Sequence, residues 1–146
     1  MSVFKETRDK LYSQYIEIVE FLRSQYGEIT PWLCKRTIMA LVADQVFILR
    51  NAAGEITACA GWWLIPPEAV AVMEDGSYQA ETATEGNLVW VMDMASTDRH
   101  GVRKFQSYLR KRYPVSSGVQ GIAWLRNGAR LVVSQRQQGV KNEMVF

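Results

Sequence analysis

A carboxylate, the only histidine and a run of arginines and lysines crowd into one stretch of this chain, LVWVMDMASTDRHGVRKFQSYLRKRY, from Leu88 to Tyr113. Asp93 follows an apolar run, Leu88 to Met92, that reads as a strand buried on both faces. A carboxylate there is costly unless it is paired, hydrogen-bonded or chemically used. As a catalytic group it would accept or orient a proton on an attacking nucleophile. As a structural group it would be held by backbone N–H groups or by an Arg. A polar loop from Ser96 to Gly101 carries Arg99 and His100. His100 reads either as a solvated loop residue or as a donor-binding or acid/base group. A basic helix follows over Val102 to Tyr113, and Pro114 stops it. Strand, loop and helix in this order present backbone N–H groups to an anion at the helix start.

The rest of the chain must position this unit. Residues 2–26 form an amphipathic helix, with Phe4, Leu11, Tyr15, Ile18, Val19, Leu22 and Tyr26 on one face, and Gly27 ends it. Thr30-Pro31 is an N-cap followed by proline at the first helical position. The second helix, Pro31 to Ala43, presents Leu33, Ile38, Met39, Leu41 and Val42. Gln45–Arg50 and Ile56–Ile65 read as strands joined by a Gly-containing hairpin loop. Pro66-Pro67 closes the second. A short helix over Glu68–Glu74 and a polar loop to Asn87 lead to the central strand. After the crossover helix come a strand over Val119–Leu125, an Asn127-Gly128 turn, a returning strand over Ala129–Ser134 and a short strand at Met144-Val145-Phe146. The expected fold is α/β: a mixed, mainly antiparallel central sheet flanked by helices, in one domain over 1–146, with N-terminal helices in 2–43 and the sheet and crossover helix in 44–146. Trp62 and Trp63 must point to opposite faces of their strand.

Composition sets bounds on function. The 146 residues can bury a core, and 48% of them are hydrophobic against 22% charged, which excludes a disordered chain. No apolar run approaches the roughly 18 residues of a membrane span. The charged N-terminus MSVFKETRDK has no signal-peptide core, which gives a cytoplasmic expectation. Cys34 and Cys59 lack metal-site spacing and read as free, buried thiols. Net charge is +2, yet residues 1–98 hold 7 Lys/Arg against 14 Asp/Glu, and residues 99–146 hold 10 against one. A basic second half suggests an anionic partner. Arg103, Lys104, Arg110, Lys111 and Arg112 are by default a solvated helix face, and otherwise a docking surface.

Over residues 31–140 the order and spacing resemble the toxin-activating lysine acyltransferases, cytosolic bacterial proteins with a fold like the GCN5-related N-acetyltransferases. The residues that carry the resemblance are Trp90-Val-Met-Asp93-Met-Ala95, Gly101, and Tyr108-Leu-Arg110-Lys111-Arg-Tyr113-Pro114. Upstream, Asp44-Gln45-Val-Phe-Ile-Leu49 and Ile56-Thr-Ala-Cys59-Ala-Gly-Trp62 match the first two strands. The resemblance implies transfer of an acyl group from a thioester donor, acyl carrier protein or coenzyme A, to an amine such as a protein lysine. It places Asp93 as the catalytic residue. Ser96, Arg99, His100, Gly101, Arg103 and Lys104 become the donor-binding group, with no tightly bound cofactor and no metal. The family's His would fall between the first helix and about Trp32, where this chain offers Tyr26, Glu28, Thr30 and Cys34 instead. Of the acetyltransferase donor-loop pattern only Gly101 matches. The alternatives are a catalytically degenerate relative acting as a binding or assembly module and, least favoured, a nucleic-acid-binding domain. Candidate partners are the donor, a protein acceptor and a second copy of the chain in a homodimer.

Overall fold

The computed structural model describes residues 3–66, 86–126 and 130–135. Helix α1 (Val3–Tyr26) and helix α2 (Pro31–Val42) precede strands β1 (Val46–Arg50), β2 (Ile56–Ile65) and β3 (Leu88–Ser96). Helix α3 (Arg99–Arg112) crosses over to β4 (Gly121–Arg126), which turns back into β5 (Arg130–Gln135). The five strands form one sheet in the order β1-β2-β3-β4-β5. All neighbours are antiparallel except β3 and β4, which run parallel across the α3 crossover. The mixed, mainly antiparallel α/β sheet expected from the sequence is therefore present. The helix expected over Glu68–Glu74, the loop after it to residue 85, the Asn127-Gly128 turn and the strand at Met144–Phe146 lie outside the described residues. No described helix is long and apolar enough to cross a membrane.

Helices cover both faces of the sheet, which explains why β2 and β3 read as nearly continuous apolar runs. On one face Phe105, Leu109 and Tyr113 pack over Phe47, Ala58, Ala60, Trp62, Val89 and Val91. On the other, Ile18, Val19 and Leu22 of α1 and Leu33 and Leu41 of α2 pack over Cys59 and Ala95. Strand alternation sends Trp62 to the α3 side. Trp63 goes to the α2 side, edge-on to Trp32 with ring centroids 6.3 Å apart.

The second helix differs from its expected face. Ile38 and Val42 are exposed, while Thr37 and Ala40 are buried beside Leu33 and Leu41. Small residues decide this, because a Cβ at Gly61 would already lie 3.3 Å from the Cβ of Ala40. Only a short side chain lets α2 come so close to β2. Thr37 satisfies its hydroxyl on the Leu33 carbonyl, one turn back.

Trp62 is the hub of the α3 side. It is completely buried, its indole N–H donates to the Tyr113 hydroxyl at 2.9 Å, and Phe105, Tyr108 and Tyr113 ring it at 5.8–6.5 Å. The Arg112 guanidinium lies 5.2 Å from the centre of its ring. Trp62→Ala should cost about 3–5 kcal/mol in a urea denaturation series. A loss under about 1 kcal/mol would mean that these aromatics repack without it.

Candidate functional site

The central strand runs through Asp93 to Ser96, where the polar loop was expected to begin. What changes at Asp93 is the register. Asp93 sits opposite Gly61 while Val91 sits opposite Trp62, so Met92 is an extra residue without a partner on β2, a β-bulge. The bulge puts two successive side chains on one face. Met92 packs with Trp63, Trp90 and Met39 on the α2 side, and Asp93 reaches Arg36 on the same side. Met94 then rejoins the α3 side and Ala95 the α1/α2 side. In unbroken alternation Asp93 would follow Val91 into the aromatic cluster under α3, away from Arg36.

Arg36 grips Asp93 with both prongs. Its Nε donates to Oδ2 at 3.0 Å and its Nη2 to Oδ1 at 2.9 Å. The pair is mostly shielded from water, with side chains 19% and 10% exposed. Arg36 also lies 5.6 Å from the centre of the half-exposed Trp32 ring, within cation–π range. A fork-to-fork pair satisfies both carboxylate oxygens. Asp93 is thus tied to an Arg, the structural alternative that its sequence position left open.

Two further protic groups surround the pair. Tyr26, at the end of α1, donates its hydroxyl to the Met94 carbonyl at 2.8 Å and accepts the Met94 N–H at 3.2 Å. Burial of that hydroxyl, with a smaller contribution from the Asp93 charge, pushes its pKa up to about 12. Cys59 lies beneath, and burial followed by the Asp93 charge pushes its thiol up to about 12 as well. Cys59 is therefore an inert core thiol, whereas Cys34 is only half-buried, and both are free. A cavity of about 10 Å³ lies beside the pair of Arg36 and Asp93, bordered by them and by Leu22, Thr37, Cys59 and Gly61. That is room for one water and no more.

The proposed donor-binding residues gather just beyond, at the C-terminal end of β3 and the start of α3. The helix begins at Arg99 rather than Val102, so His100 and Gly101 belong to its first turn and not to a loop. Asp98 is the N-cap, its side chain accepting the Gly101 N–H at 3.1 Å. Ser96 Oγ donates to the Asp98 carbonyl at 2.6 Å and accepts the Asp98 N–H at 3.3 Å. Gly101 has a packing role, since a Cβ there would run into Ser96 Oγ and the Ala58 side chain. Arg99, His100, Arg103 and Lys104 are all exposed. The helix start thus already holds an acidic cap, which satisfies an N–H that an anion would need and adds a like charge. Asp93 faces α2 whereas Ser96 and Gly101 meet on the α3 side, so the two groups of candidates do not converge on one pocket.

Between them lies an open strand edge. β3 and β4 pair only from Leu88↔Gly121 to Val91↔Trp124. Past the bulge, among the described residues, β3 keeps its β2 neighbour but has no strand on its other side.

Arg36 is the residue that sequence reading did not single out. The signal was indirect: a buried carboxylate demands a cation, and Arg36 lies one helical turn beyond Trp32 on a helix whose only other charged residue is Lys35. Asp98 had a direct signal, because Ser-Thr-Asp before a helix is a run of N-cap types. Among the described residues no cluster of three His, Cys, Asp or Glu could hold a metal ion. No family model matches this chain, and no curated protein matches it.

Asp93→Leu leaves the Arg36 cation buried without a counter-charge, and should cost about 3 kcal/mol in folding stability. Arg36→Met should cost about as much, and the double variant Asp93→Leu/Arg36→Met should recover most of it. Additive losses in this cycle, measured by urea denaturation, would show that the pair is not coupled. A second expectation concerns alkaline pH. Folded Cys59 keeps its proton to about 12, against an ordinary value of 9.0. Between those values the unfolded chain binds fewer protons, so this contribution to stability is whole below pH 9 and falls as pH rises, by at most about 1.4 kcal/mol per unit. Cys59→Ala should flatten that slope in denaturation curves taken from pH 8 to 10.5, and an unchanged slope would assign it to other groups.

Proposed function

We propose that this chain is an acyltransferase-like protein that takes a thioester donor, acyl carrier protein or coenzyme A, along the open edge of β3 and passes the acyl group to an amine. The observation that carries this reading is the parting of β3 from β4 beyond Val91 and Trp124, next to the bulge. An unpaired strand edge offers backbone N–H and C=O groups in extended array, which a linear ligand containing amides can match as an added strand would. The resemblance of the central unit to the toxin-activating lysine acyltransferases, with their acetyltransferase-like fold, points to the same chemistry. In the reaction, the amine nitrogen attacks the thioester carbonyl carbon, the C–N bond forms, the C–S bond breaks, and the proton lost by the amine ends on the departing thiolate. Asp93, set by Arg36, would orient the attacking amine. Arg99, Arg103 and Lys104 would steer an acidic donor from the exposed helix start. Free Cys34 and Cys59 fit a reducing, cytoplasmic setting.

The second reading, a degenerate relative that binds without catalysing, is favoured by two observations. Arg36 occupies both oxygens of Asp93, and the neighbouring cavity of about 10 Å³ has no room for an acyl chain. The nucleic-acid reading has only the exposed cations of α3 behind it.

Titration with acyl carrier protein, coenzyme A and a mixed-sequence oligonucleotide at two salt concentrations separates these readings. Donor binding that weakens with salt and is lost in Arg103→Glu is the expected outcome. Little duplex affinity is expected at physiological salt. Duplex binding alone, with a salt slope near 0.9 per neutralised phosphate, would end the acyltransferase reading. Thioester consumption in the presence of an amine then decides between enzyme and module: a donor that is bound but never consumed establishes the module.

A further inference from the structure

We infer that Tyr26 is a stopper on the open edge of β3, closing it in the free protein and swinging aside when the amide-bearing arm shared by coenzyme A and acyl carrier protein pairs with the strand. The inference rests on the donor reading above and adds a gate to it. One hydroxyl serves both backbone groups of Met94, donating to its carbonyl at 2.8 Å and accepting its N–H at 3.2 Å. Both groups therefore point away from β2, although Met94 stands opposite Ala60 in the ladder. They face the side that β4 has left. A neighbouring strand, or two successive amides of an extended ligand, would make the same two hydrogen bonds, with the N–H of one amide and the C=O of the next. Tyr26 thus imitates the missing neighbour and keeps a strand edge from standing unpaired.

The anchoring of Tyr26 suits a part that moves. It is the last residue of α1, the Gly27 that follows has φ +86, and residues 27–30 before α2 are exposed. The residue itself is 43% exposed, so its ring can rotate into water while Ile18 and Leu22 keep α1 seated on the sheet. Two successive ligand amides would return both hydrogen bonds that Tyr26 gives up. The exchange is then nearly even, as a reversible gate requires.

Calorimetric titration of coenzyme A and of holo acyl carrier protein into the parent and into Tyr26→Phe tests the gate, together with hydrogen exchange at the Met94 amide. Tyr26→Phe keeps the ring and removes both bonds. It should bind the donor roughly tenfold more tightly, because two hydrogen bonds no longer need to be broken first. Its Met94 amide should exchange faster without donor and slow again when donor is added. Binding of both probes assigns the edge to the common arm, and binding of the carrier protein alone adds a protein contact to it. Binding by Tyr26→Phe but not by the parent would be the strongest support. Equal affinity in the two proteins, or weaker binding by Tyr26→Phe, overturns the stopper and leaves the donor reading in place. Failure of both donors to bind either protein overturns the donor reading and the gate with it.

Discussion

A guanidinium and a carboxylate held 2.9 Å apart beneath α2 set the course of the central strand. A carboxylate this deep is costly without a partner, and the partner of Asp93, Arg36, lies on the α1/α2 side of the sheet. Strict alternation would have aimed it at the opposite side, into Trp62 and Phe105. The inserted Met92 reconciles the two demands by turning the strand over within a single residue. The strand is kinked for the sake of the charge, and its later residues, Met94 to Ser96, inherit their facing from that shift. A buried pair of this kind adds little net stability compared with apolar side chains of the same shape. Its effect here is on register, since any other pairing of β2 with β3 would bury Asp93 without its cation.

Close approach of both helix layers depends on residues with little or no side chain. Gly61 and Ala40 bring α2 onto β2, and Gly101 with Ala58 brings the start of α3 onto the same strand from the other face. The same strand carries the two tryptophans, Trp62 and Trp63, one fully buried on each side. This division keeps the α3 face apolar and aromatic, while the α1/α2 face takes the polar cluster of Arg36, Asp93, Tyr26 and Cys59.

Much of this architecture was legible from pattern alone. The stripe of α1, the Thr30-Pro31 start of α2, the β1–β2 hairpin and the crossover between parallel strands all follow from periodicity and turn chemistry. Two features were not. A bulge has no sequence signature of its own, because Met92 is as good a strand residue as its neighbours, and only the demand of Asp93 for a partner on the α2 side reveals it. The exposed face of α2 was misread because Ile38 and Val42 are more hydrophobic than Thr37 and Ala40. Proximity to Gly61 rewarded small volume over hydrophobicity. For the site, Asp93 stood out at once, whereas Arg36 and Tyr26 join it only through contacts 57 and 68 residues distant in the chain.

The two places where a donor could be held are not equivalent. The start of α3 looks like an anion site in sequence, but the Asp98 carboxylate is already bonded to the Gly101 N–H and cancels part of the helix dipole. Among the described residues, the open edge of β3 has no such occupant except the Tyr26 hydroxyl. Under the donor reading, specificity and most of the binding energy must therefore come from the uncharged edge. The exposed Arg99, Arg103 and Lys104 contribute steering, which raises encounter rates more than affinity. A free nucleotide thioester depends on a firm grip on its phosphates, and this helix start is poorly made for that. A donor arm delivered by an acidic protein needs only the steering and the edge, because its own surface supplies the remaining contacts. The same geometry that argues against a phosphate pocket thus argues for a carrier protein as the form in which the arm arrives.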